Sequence, residues 1–177
     1  MKTMRICVAV LAALVLSLGG LYAQPKAAGC IFSTSGLGVT YEHSMEKGNF
    51  LSVDLSLDTD DVIWKRADHP GVTASFVWNM VFAEKESAYG NRISFFAGPG
   101  LMAGYVTDYG SKAGIAFGLK GCIGVECRFR RPFILSATLS PTIGTHMTSK
   151  DGNTMMKLYR CGLIETIIPN IGIKYAF

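Results

Sequence analysis

His146 and Thr148 stand two residues apart in "TIGTHMTSKDG". A histidine sharing a face with a hydroxyl is the pair an activated oxygen nucleophile requires, with the imidazole as general base. A third group must orient that base. Glu165 follows in the same stretch, at no spacing that fixes it beside the ring. The alternative is a solvated loop histidine. His43 and His69 are the other two. Cys30, Cys122, Cys127 and Cys161 form no C-x-x-C, and no Cys/His spacing suits zinc, so no metal or cofactor is expected. Cys122 and Cys127 have opposite phase on one strand and cannot pair; small apolar filling is the expected role of the four cysteines, with a Cys30–Cys161 disulfide as the alternative.

A second set carries charge. Glu42, Asp54, Asn79, Arg92, Lys120, Glu126, Arg128 and Lys174 all fall in the small-residue phase of alternating segments. Four bases there face three acids. Charges enclosed in a narrow space are costly unless paired, so an internal salt-bridge network is expected, with a selective pore as its rival. A third set lies in polar connections. "DTDDVIWKRADHPG" presents Trp64, Lys65 and Arg66, and "NTMMKLYRCGLIET" presents Tyr159. With His146, these are the candidates for contacting a ligand or partner from loops. The second stretch suits a short amphipathic helix before Pro169, or one more strand.

The elements that position these residues follow from the period of the apolar residues. From Ala113 to Phe129, Ile115, Phe117, Leu119, Ile123, Val125, Cys127 and Phe129 alternate with Ala116, Gly118, Lys120, Cys122, Gly124, Glu126 and Arg128. That is a strand with two unlike faces. The pattern recurs from Val72 to Phe82, from Phe133 to Ile143 and from Leu51 to Leu57. One face is bulky and apolar; the other holds Gly, Ala, Ser, Thr and a few charges. A small barrel has little interior volume, so small residues point inward and bulky ones outward. Only a bilayer rewards that arrangement, because in water the surface would aggregate. A soluble lipocalin-like binder predicts the reverse phase.

The pattern predicts an all-β fold, an eight-stranded antiparallel up-and-down transmembrane β-barrel. Its strands are Ala28–Thr34, Gly36–Glu42, Phe50–Leu57, Gly71–Ala83, Arg92–Thr107, Ala113–Phe129, Pro132–Thr145 and Ile168–Phe177. Ala28–Glu42 reads either as one strand or as two joined near Ser35; even parity favours two. Pro99 and Pro141 fall inside strands and each removes a ladder donor. Outer loops then fall near Ser35 and at Asp58–Pro70, Asp108–Lys112 and His146–Ile167, with periplasmic turns at His43–Asn49, Glu84–Asn91 and Arg130–Arg131. Tyr41, Phe82, Phe129, Phe133, Tyr175 and Phe177 form an aromatic belt at the turn end. Phe50 shares that level in the opposite phase.

Composition agrees. Hydrophobic residues make up 49% of the 177, yet no long apolar run exists after residue 18. Lys2 and Arg5, the run Ile6–Leu18 and Ala23-Gln24 describe a secretory signal peptide, residues 1–23, before an outer-membrane domain at 24–177. Lipoprotein processing at Ala27-Ala28-Gly29-Cys30 is a rival. Removing Lys2 and Arg5 lowers the 17 basic residues to 15 against 13 acids, and no basic run points to nucleic acid. The ending "IGIKYAF" resembles the C-terminal signal of bacterial outer-membrane barrels, with Tyr175 and Phe177 as its aromatic positions. "GLGVTYE", "AGPGLMAGYVTD", "GLKGCIGVECRF" and "IPNIGIKYAF" resemble small eight-stranded outer-membrane proteins of Gram-negative bacteria. That resemblance implies an outer-membrane location, with lipid and the barrel-assembly machinery as partners; the expected role is non-enzymatic, in a monomer. Some barrels of this size are lipid A-modifying enzymes with a His–Ser site at the outer rim. Thr148 departs from that serine.

Overall fold

A computed structural model describes residues 26–33, 36–45, 48–59, 70–87, 90–108, 113–129, 132–150, 153–164 and 169–177. Alternating segments become strands: β1 Lys26–Phe32, β2 Gly36–Ser44, β3 Phe50–Asp58, β4 Gly71–Glu86, β5 Arg92–Val106 and β6 Gly114–Arg128. β7 Phe133–Leu139, β8 Thr142–Lys150, β9 Asn153–Leu158 and β10 Asn170–Ala176 follow, with one helical turn, α1 Cys161–Ile164. Every described pairing is antiparallel. β1 to β6 pair in order, β7 pairs with β6 and β10, and β10 returns to β1, closing eight strands into a barrel. Closure leaves no unpaired edge around that ring.

One open alternative is decided as parity favoured, and three other expectations need refinement. Ala28–Glu42 is two strands, turned by reciprocal backbone hydrogen bonds between Ser33 and Gly36. The expected Pro132–Thr145 is broken at Ser140–Pro141 into β7 and β8 and runs on to Lys150. The break costs no register: β6 pairs Ile123 with Leu139 below it and Lys120 with Thr142 above it. Pro141 keeps its place because its carbonyl still accepts from Gly121 N at 2.7 Å. Pro99 is tolerated likewise, opposite Gly121 in β5–β6, where the β4–β5 ladder skips from Val77–Gly100 to Met80–Ala97. Gly98 allows the close approach there, since a Cβ would stand 1.9 Å from the Trp78 carbonyl oxygen.

The expected last strand forms as β10, and the loop before it supplies one more strand. β9 continues beside β8 above β10, and between them residues 159–164 leave the wall and fold into the mouth. The stretch called either helix or strand is therefore both: β9, then α1. β4 carries a bulge between Val81 and Ala83. It turns Glu84 to the inner side, opposite Ser94.

The two faces separate as the alternation predicts. Bulky residues such as Leu101, Leu119, Ile123 and Ile143 point outward and are exposed, while Ser52, Ser75, Asn79, Glu126 and Lys174 are buried inside. At the turn end Phe82, Phe129, Phe133, Tyr175 and Phe177 are exposed on the outer wall, with Phe133 and Tyr175 edge to face at 5.7 Å. Tyr41 is half-buried.

Candidate functional site: the barrel lumen

The lumen is layered. Near the turn end, Lys174 of β10 donates to Glu42 of β2 and to Glu126 of β6, the second at 2.6 Å. All three are buried. Arg128, two residues along β6, lies 3.7 Å from the other Glu126 oxygen. One ammonium thus serves two carboxylates whose strands are not its neighbours. A buried carboxylate without such a partner would carry the full desolvation cost.

At the next level Asp54 accepts from Thr40 at 2.7 Å and from Ser75 at 3.0 Å. Lys120 donates to Ser75 at 2.8 Å and lies 3.5 Å from Asp54. β2, β3, β4 and β6 are joined through that one cluster. Beside it, Asn79 Nδ2 donates to Ser52 at 3.0 Å, while Asn79 Oδ1 has no protein partner. Phe50 and Phe96 pack edge to face at 4.9 Å with Val77 and Cys122 against them.

The mouth is built differently. Tyr159 and His146 stack with ring centroids 6.4 Å apart, and Met102, Val106 and Ala116 pack with Tyr159. His146 Nε2 donates to the Val106 carbonyl at 3.0 Å. That fixes the proton on Nε2 and leaves Nδ1 a buried acceptor with no protein partner. Asp108 accepts from the amides of Arg160 and Cys161, both at 3.1 Å, and so caps the start of α1. Gly162 fits against Thr142, where a Cβ would lie 2.8 Å from both the Thr142 Cβ and its carbonyl oxygen.

Six of the eight expected interior residues, Glu42, Asp54, Asn79, Lys120, Glu126 and Lys174, meet in these clusters. Arg128 joins them from the rim. Arg92 does not: it is exposed and pairs with Glu84 at 3.1 Å at the end of the strand. Its long side chain reaches water from the strand end. Two loop-contact candidates are corrected. His146 is 1% exposed and Tyr159 3% exposed, both turned into the mouth, because β8 extends through His146 and the strap after β9 carries Tyr159 inward. Trp64, Lys65 and Arg66 lie outside the described residues, as do Glu165, His69 and residues 1–25. Cys30 is exposed on the outer wall and no disulfide joins it to Cys161. Among the described residues no cluster of His, Cys, Asp or Glu could hold a metal ion. Sequence reasoning missed Phe50 and Phe96 as lumen residues, although the phase that excluded Phe50 from the belt already pointed it inward. Asp108 carried no signal.

No protein-family model matches this chain, no curated protein matches it, and no solved structure matches it. The conclusion rests on geometry alone: the chain is a closed eight-stranded antiparallel β-barrel with a polar, cross-linked lumen.

Proposed function

We propose that this chain is an integral outer-membrane barrel of a Gram-negative bacterium, non-enzymatic, with a plugged interior. It contacts a surface ligand or partner through its outer loops, Trp64, Lys65 and Arg66 among them. The observation that carries the reading is the outer wall. Leu119 is 68% exposed, Leu101 and Ile143 60%, and these residues share one row across β5, β6 and β8. An apolar surface of this kind is stable in lipid and aggregates in water. The aromatic residues at the turn end support an interfacial belt there. On this reading the partners are outer-membrane lipid and, during insertion, the barrel-assembly machinery; the barrel acts as a monomer.

The test is thiol labelling in a background without native cysteines. Asp60→Cys lies between β3 and β4, at the proposed outer end, and Ser87→Cys at the turn end. In intact cells, a membrane-impermeant maleimide should label Asp60→Cys and spare Ser87→Cys. Labelling of Ser87→Cys alone reverses the orientation. Labelling of both only in a periplasmic extract refutes the membrane reading.

A further inference from the structure

The lumen is packed most tightly toward the turns. Toward the turns, Phe50, Phe96 and the Lys174 cluster close it, with Ile134 and Ser94 buried beyond them. Above them lies a cavity of about 130 Å³, whose lining reaches Ser33, Asp58 and Gly162. We propose that this cavity is a binding pocket for a small, uncharged, hydroxyl-rich solute of about the size of glycerol. The inference does not depend on the membrane reading.

Four observations carry it. The first is charge. Both lysines at the cavity are already paired: Lys120 with Asp54, and Lys174 with Glu42 and Glu126. A cation or an anion would have to break one of these pairs, and a neutral solute breaks none. The second is the lining, which includes the hydroxyl-bearing residues Ser56, Thr73, Thr138 and Ser140. Hydroxyls both donate and accept, as a polyol does. The third is Asn79. It is 1% exposed, lines the cavity, and its Oδ1 is an acceptor with no donor in the protein. A solute O–H supplies one. The fourth is the floor. The Phe50 and Phe96 rings offer an apolar surface suited to the C–H groups of a polyol. On the scale where a cavity of roughly 150 Å³ admits benzene, this space takes about six heavy atoms, the bulk of a three-carbon polyol.

Cys122 lines the same cavity and is its native reporter. The experiment uses the folded barrel in detergent micelles with Cys30, Cys127 and Cys161 replaced by alanine. The rate of Cys122 modification by methyl methanethiosulfonate is measured with glycerol, and with acetate and choline as charged controls. Glycerol should slow the reaction about fivefold when present at about four times its dissociation constant. The charged controls should leave it unchanged. Asn79→Ala and the near-isosteric Thr73→Val should each weaken protection while circular dichroism reports an intact barrel. The proposal is overturned if Cys122 does not react at all, if glycerol does not protect it, if acetate or choline protects equally, or if both variants keep full protection.

Discussion

Lys174 shows what a single residue does inside a narrow barrel. Its ammonium satisfies carboxylates on two strands that it does not pair with, so removing it leaves Glu42 and Glu126 buried and uncompensated. Lys174→Met should destabilise the barrel by about 3–5 kcal/mol, read as a lower urea midpoint in detergent. Adding Glu42→Gln and Glu126→Gln to that variant should recover most of the loss, because no bare charge then remains. A midpoint unmoved by Lys174→Met would mean that water solvates the cluster. This triad was legible in the alternation, which assigned all three side chains inward. Their mutual contact was not, because Lys174 and Glu42 are 132 residues apart and meet only once the barrel closes.

At the scale of elements, the strap after β9 is the least regular part of the described fold. It departs from the strand period because α1 is held by non-local contacts. Asp108 is 52 residues from Arg160, Tyr159 stacks on His146, and Gly162 leaves no room for a side chain against Thr142. No local pattern predicts such a turn inward, which is why His146 and Tyr159 read as loop residues in the sequence. Asp108→Ala removes the acceptor for two strap amides, a loss of about 1–2 kcal/mol local to the mouth. Global stability should change little, while Cys122 becomes faster to modify. Gly162→Val should give the same acceleration by displacing the strap outright. If both variants modify at the parent rate, the strap does not govern access. The kink at Ser140–Pro141 is the contrasting case. Pro141 argued against a continuous strand, yet the register passes through it unchanged.

For the whole molecule, the decisive quantity is which solvent meets the outer wall. Leu119 lies midway along β6 on that wall. In a bilayer, Leu119→Arg should cost about 2–4 kcal/mol and impair assembly into the membrane. In water the same change would improve solubility. The sign of the effect separates the two, measured as the fraction of protein recovered folded in vesicles. Fold and inner–outer assignment were readable because period two and residue size both act locally. The bulge at Val81–Ala83 was not, and it moved Glu84 from the outer phase to meet Ser94 and Arg92.

The seam between β1 and β10 joins Ala27 to Ala176 and Phe32 to Ile171. Until it forms, the sheet has two open edges almost the whole chain apart. Loop-closure entropy for about 150 residues costs roughly 4 kcal/mol on the logarithmic scale. Stacking strands one by one recovers none of that until the ends meet. Closure is then a late, all-or-none event, and the time to fold is governed by this one encounter more than by the hairpins that precede it.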